Sequence, residues 1–216
     1  RVFDIAACAW SDGPPLPRAV HHANAAVVDG TIYVLGSMIA GFVAIGDVWA
    51  YRPGTDTDWI PRASMPTGTQ RGSAVVGVID GTIYLAGGLR NGAVAQVSSY
   101  TPATDTWSTG LPPLPQINDH GCGGVVGGKL YVTGGRMGTL SSNSRMVFEY
   151  TPGAGGGAWT PRAPMPTARG GTACGVLGDR IIIVGGEGNA ASPSGVFPEV
   201  EAYAPAQDRW DSLTPM

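Results

Sequence analysis

The sequence predicts an all-β chain made of tandem copies of one four-stranded sheet, and three observations predict it. One phrase recurs, a run of β-branched and aromatic residues closed by glycine: Thr31-Ile-Tyr-Val-Leu-Gly-Ser37, Thr82-Ile-Tyr-Leu-Ala-Gly-Gly88, Lys129-Leu-Tyr-Val-Thr-Gly-Gly135 and Arg180-Ile-Ile-Ile-Val-Gly-Gly186. Such runs, reached through turns like Asp80-Gly81, read as central strands of hairpins and not as helices. Tryptophan recurs as well, at Trp10, Trp59, Trp107, Trp159 and Trp210, separated by 49, 48, 52 and 51 residues, with a tyrosine seven to nine residues before each of the last four. Finally, the 34 glycines and 18 prolines of the 216 residues fall at turns between apolar strands. A composition that elsewhere signals low complexity is here the punctuation of an ordered array.

Each unit runs in the same order: a proline-rich lead-in, a strand of small and apolar residues, a tight turn, the central strand, a variable loop, a strand carrying Tyr, a Thr-Asp-Thr-like turn, and Trp. Full repeats are drawn at 11–59, 60–107, 108–159 and 160–210. Residues 1–10 open in mid-unit, with Val2-Phe3-Asp4 aligned to the tyrosine strand and Cys8-Ala-Trp10 to the outermost strand, while 211–216 begin another lead-in. These ends predict a larger ring of about five to eight blades, with a closed ring of the four full units as the alternative. A four-stranded sheet cannot bury both faces alone, so the sheets stack face to face around an axis. The glycine pairs predict backbone with positive φ or close approach of the next sheet, and Tyr and Trp fill the wedge between sheets. Ser37 in place of a second glycine and Ile182 in place of a strand tyrosine are the visible departures, and Trp49 lies outside the repeated position.

A period near 50 that carries Gly-Gly, Tyr and Trp resembles the kelch repeat, and the resemblance covers essentially the whole chain. It implies a kelch β-propeller of the bacterial kelch-repeat or galactose-oxidase central-domain type, with four full blades and a partial one in a single domain over residues 1–216. It also points to a secreted or periplasmic location. Two groups of enzymes share this architecture. The copper radical oxidases need a Cys linked to a Tyr, a second Tyr and two His, and no such set can be placed here, because the tyrosines and cysteines belong to the repeat frame. The resemblance to sialic acid epimerase implies a positioned acid and base beside a sugar ring, for which Glu187 with Arg136 or Arg169 is the available pair.

Charge and composition exclude other classes. The formal net charge is −3, 12 of the 13 basic residues are Arg, and they form no cluster, so the basic stripe of a nucleic-acid surface is missing. No run of eighteen apolar residues is present to span a membrane as a helix. The chain opens at Arg1 and not at Met, which is compatible with a leader removed or lying upstream. Cys8, Cys122 and Cys174 are odd in number, lack metal-ligand spacing and read as buried free thiols. No phosphate loop, nucleophile elbow or zinc helix motif appears, and no cofactor is expected.

Binding sites on rigid frames reside in variable loops, here 38–46, 89–95, 136–144 and 187–198. In an antiparallel blade the end of the central strand and the start of the innermost one share an edge. Ten to eight residues before the hairpin position lie Val20-His21-His22, Arg71-Gly72-Ser73, Asn118-Asp119-His120 and Arg169-Gly170-Gly171; Arg90, Arg136 and Glu187 lie just past the glycine pairs. The candidate ring is therefore His21, His22, Arg71, Arg90, Asn118, Asp119, His120, Arg136, Arg169 and Glu187, a set able to hold carboxylates or hydroxyls. The same residue types also cap turns at a polar channel mouth, and that alternative stays open. A metal is not expected, because His22 and His120 come from blades that are not neighbours and successive strand residues such as His21 and His22 point to opposite faces. The function expected is a non-catalytic module that binds a carbohydrate or a peptide segment, with neither nucleic acid nor membrane as partner. The alternative is the sugar-acting enzyme, and no catalytic residue is assigned.

Overall fold

The computed structural model describes all residues from 1 to 216. A two-stranded ribbon, β1 (Val2–Asp4) with β2 (Ala9–Ser11), precedes four antiparallel four-stranded sheets, each a meander in chain order. The first contains β3 (Ala25–Val28), β4 (Thr31–Ile39), β5 (Val43–Tyr51) and β6 (Ile60–Arg62). The second contains β7 (Val75–Ile79), β8 (Thr82–Ala86), β9 (Val97–Thr101) and β10 (Thr106–Ser108). The third contains β11 (Cys122–Val126), β12 (Lys129–Thr133), β13 (Val147–Thr151) and β14 (Ala158–Pro161), and the fourth β15 (Ala173–Leu177), β16 (Arg180–Val184), β17 (Val200–Ala204) and β18 (Arg209–Leu213). The inner strands neighbour one another in the order β3, β7, β11, β15, so the sheets are successive blades around an axis.

The aromatic residues pack as a wedge between blades. The central-strand tyrosine of one blade meets the third-strand tyrosine of the next, Tyr33 with Tyr100, Tyr84 with Tyr150 and Tyr131 with Tyr203, at ring-centroid distances of 6.0, 5.5 and 5.8 Å. Each third-strand tyrosine then meets the tryptophan of its own blade, as in Tyr100–Trp107 at 5.1 Å. The indole N–H groups of Trp59, Trp107, Trp159 and Trp210 donate to the lead-in carbonyls of Pro14, Ala63, Pro112 and Ala163 at 3.1, 2.8, 2.9 and 2.9 Å. A tryptophan thus closes its blade back onto the lead-in, with its polar atom satisfied. Phe3 and Trp10 form the same aromatic pair in the ribbon, at 5.0 Å.

Glycine is needed where blades approach most closely. Gly87 has φ +68°, and a Cβ there would lie 2.6 Å from the carbonyl oxygen of Asn118 in the next blade; its neighbour Gly88 donates its N–H to that same oxygen at 2.7 Å. Any larger residue would push the blades apart. Ser37 shows how the sheet responds when the second glycine is missing. Its counterparts Gly88, Gly135 and Gly186 hold φ of 116°, 91° and 129°, a region that L side chains rarely adopt. Ser37 stays extended, the register shifts between Leu35 and Ser37, and β4 and β5 continue to nine residues each. The expected loop 38–46 is therefore corrected to a β-hairpin, whose tip is Ala40–Phe42.

The cysteine expectation is also corrected. Cys122 on β11 and Cys174 on β15 form a disulfide with Cα atoms 6.0 Å apart, and Cys8 is an exposed free thiol. Residues about one repeat apart on neighbouring inner strands come together across the blade interface, which is why a separation of 52 can be bridged.

Candidate functional site

The face where the inner strands begin is knit by a circumferential belt. His22, Ser73 and His120 are left-handed, with φ of 55°, 50° and 51°, as is Gly171 at 62°. This conformation turns the backbone toward the preceding blade. The N–H groups of Ser73, His120 and Gly171 donate to the carbonyls of His22, Ser73 and His120 at 2.9, 3.2 and 3.0 Å. Non-glycine residues in this region carry strain that the surroundings must hold, and here interblade hydrogen bonds hold it.

Six of the ten candidates meet at this mouth. His21 Nε2 lies 2.9 Å from the Ile39 carbonyl, an acceptor, so that nitrogen carries the hydrogen; His21 Nδ1 then accepts from His22 Nδ1, 2.5 Å away. The two rings come together because His22 is left-handed, which corrects the expectation that they point to opposite faces. His22 and His120 also meet, with centroids 5.0 Å apart, although their blades are not neighbours. Burial, followed by the nearby His120, His21 and Arg136, lowers the His22 pKa below the ordinary imidazole value, which favours the neutral ring. His120 Nδ1 contacts Asp119 Oδ1. Arg136 bridges the next step, with Nε 3.7 Å from Asp119 Oδ1 and a terminal nitrogen 2.8 Å from Glu187 Oε1. Asp119 is 3% exposed, and its Oδ2 has no partner.

The other four candidates do not reach the mouth. Arg71 and Arg169 are fully buried, at 0% exposure, and are corrected from ligand-binding to structural residues. Arg71 donates to the carbonyls of Gly87, Thr69 and Leu85 at 2.7, 2.8 and 2.9 Å. Arg169 repeats the pattern on Gly185 and Thr167, at 2.8 and 3.2 Å, and pairs with Glu201 at 2.5 Å. Each therefore ties the strand start to the glycine turn of its own blade. Asn118 is buried, with Oδ1 against the Gly135 backbone. Arg90 turns to Gly68 and Gln96, and lines a separate groove with Phe42 and Val43 of the hairpin tip.

A cavity of about 530 Å³ opens at the mouth, with Ser73, His120, Thr172, Glu187 and Val196 in its wall. A second cavity, sharing Ala74 and Gly121 with the first, is lined mainly by small and apolar residues, among them Ala23, Val76, Cys122 and Cys174, together with Asn24. No group of three or more His, Cys, Asp and Glu side chains is arranged to hold a metal ion. Ser73 shares the cavity with the Asp119–His120 pair, but no hydrogen bond joins its hydroxyl to the imidazole, so a nucleophilic triad is not assembled. Of the acid–base pairs open to a sugar enzyme, Arg136–Glu187 remains and Arg169 is lost to the interior. Sequence reasoning missed Ser73, Thr172, Val196 and Phe42. Ser73 holds the same offset as His22 and His120 and was findable, whereas Phe42 reaches 5.1 and 5.4 Å from the rings of His21 and His22 only because the hairpin forms.

A family model described as Kelch motif matches residues 70–110, 120–166 and 168–216, more than half of the chain. Kelch-like protein terF of Aspergillus terreus is 41% identical over 213 residues, which cover 93% of this chain and 46% of that protein. Kelch-like protein 36 of Bos taurus is 29% identical over 214 residues, covering 96% of this chain and 34% of that protein. The chain spans less than half the length of these relatives. They are fungal and bovine, and lend no support to a bacterial subtype. The solved structure of YjhT matches with a TM-score of 0.79 at 19% identity, over 94% of this chain and 68% of that one, a likeness of fold.

Proposed function

The chain belongs to the kelch-repeat family, and on that premise we propose that it is a non-catalytic binding module holding a segment of a partner protein at the mouth formed by its strand starts. The observation that supports this reading is where the repeat breaks. The core of the frame recurs from blade to blade, as Tyr51, Tyr100, Tyr150 and Tyr203 do. At the strand starts the blades instead carry His21-His22, Gly72-Ser73, Asp119-His120 and Gly170-Gly171, and past the glycine turns Met38, Leu89, Arg136 and Glu187. Of these varying side chains, Met38, Asp119 and Arg136 are buried, whereas His21, His22, His120 and Glu187 reach the surface on one face of a rigid frame and are available for recognition.

Two exposed apolar side chains adjoin this polar centre, Val196 in the cavity wall and Phe42 against the rings of His21 and His22. Exposed apolar side chains beside a polar centre favour a peptide over a carbohydrate. The Cys122–Cys174 disulfide supports placing the module in an oxidising compartment.

Panning a display library of random short peptides against the whole chain tests the reading. Selected peptides should bind the wild type and lose binding when Phe42→Ser and Val196→Ser are combined, at an unchanged urea midpoint. An empty selection, or peptides indifferent to both changes, contradicts it.

A further inference from the structure

We infer that the axial cavity is built to receive a basic side chain, an arginine or lysine, presented by a partner segment between apolar residues. This rests on the reading of the mouth as a peptide-binding face and names what that face selects. The balance of hydrogen-bond donors and acceptors in the cavity points to it. Glu187 lines the cavity, with its side chain 48% exposed; Oε1 is held by Arg136, and no protein group hydrogen-bonds to Oε2. His120 lines it too. In its neutral form it donates Nδ1–H to Asp119, so Nε2 is left as an acceptor. The hydroxyls of Ser73 and Thr172, in the same wall, can accept as well and have no hydrogen bond to another protein group. The open positions in the cavity are thus acceptor-rich.

Charge agrees with this. The mouth holds two carboxylates, Asp119 and Glu187, and one cation, Arg136, whose nearest charged neighbours are those two carboxylates. A guanidinium or ammonium supplies the missing donors and the missing charge together, whereas an acidic ligand would face Glu187 and find no free cation. At about 530 Å³ the cavity has room for a long basic side chain, and the exposed Val196 in its wall offers a contact for an apolar flanking residue.

The test uses the whole chain and two tripeptides, acetyl-Leu-Arg-Leu-amide and acetyl-Leu-Glu-Leu-amide, titrated while the His120 ring signals are followed by NMR, with assignment through His120→Gln. The arginine peptide should shift those signals to saturation, and binding should weaken roughly ten-fold or more in Glu187→Gln, as for loss of one charge-assisted hydrogen bond. The glutamate peptide should leave them unmoved. Equal or stronger response to the glutamate peptide, no response to either, or an arginine affinity unchanged in Glu187→Gln overturns the inference. Panned peptides that depend on Phe42 and Val196 yet lack Lys and Arg would leave the binding face standing and remove only its basic selectivity.

Discussion

Breaking the Cys122–Cys174 bond perturbs this protein at a single covalent link. The two residues are 52 apart in sequence. In the chain-entropy account, a closed loop of that size restricts the unfolded chain by about 4 kcal/mol, between about 3 for fifteen residues and about 5 for a hundred. The folded state has little to lose, because β11 and β15 already touch and the Gly123 N–H reaches Cys174 Sγ at 3.0 Å. Against a total stability of about 5–15 kcal/mol, that is a large share. With a urea m-value near 3 kcal/mol/M, the midpoint should fall by roughly 1.3 M. The assay is urea unfolding followed by tryptophan fluorescence, with and without a phosphine reductant, on the wild type, Cys174→Ser and Cys8→Ser. Wild type and Cys8→Ser should lose the same increment on reduction, and Cys174→Ser should start without it. Thiol titration of the unreduced, unfolded wild type should find Cys8 alone. Three reactive thiols and a midpoint insensitive to reductant would refute the clip between blades.

Other consequences concern buried polar groups. Burial pushes the Glu149 carboxyl up, but hydrogen bonds from Lys129, Tyr131 and Arg162 outweigh it and hold the pKa at about 2, below the ordinary 4.5. A depressed folded value means stability that is present above about pH 4.5 and lost as pH falls toward 2. Glu149→Gln should cost about 2–3 kcal/mol near neutrality, less than a fully buried pair because Lys129 and Arg162 keep contact with water, and its deficit against the wild type should shrink across that window in urea melts at stepped pH. Arg169→Ala should destabilise by about 3–5 kcal/mol, because it strands Glu201 as well as backbone carbonyls, and more than Arg71→Ala, which strands only neutral acceptors; equal urea midpoints would remove the distinction. Ser37→Ala deletes a buried hydroxyl that has no partner, and should raise stability by up to about 1 kcal/mol, read as a higher thermal midpoint.

The frame was legible in the sequence because it is periodic. Strand order, the glycine approach and the tyrosine–tryptophan wedge all repeat, and repetition is a signal a single chain carries without relatives. Repetition did not mark Arg71 and Arg169 as frame, since Val20 and Asn118 hold the equivalent position in the other two blades; their charge suggested exposure, but a guanidinium can be buried when backbone oxygens take its donors. The disulfide left a trace in two cysteines about one repeat apart on successive inner strands, which a count that looked only for metal spacing passed over. The convergence of His21, His22 and His120 was not legible, because it depends on left-handed backbone at His22 and His120 and not on alternation along a strand. The hairpin that brings Phe42 over those rings results from Ser37, a departure visible in the sequence whose consequence needed the φ values of its glycine counterparts.

The most direct measurement of the central claim, that frame and site are separate sets of residues, reads urea midpoint and affinity for a panned peptide on one panel: Glu187→Gln and Phe42→Ser from the mouth, Arg71→Ala and Trp107→Ala from the frame. The mouth variants should lose affinity at the wild-type midpoint, while the frame variants should lose stability yet bind normally where still folded. A frame variant that keeps its midpoint and loses the peptide, or mouth variants that lose stability and keep it, would show that frame and site share residues.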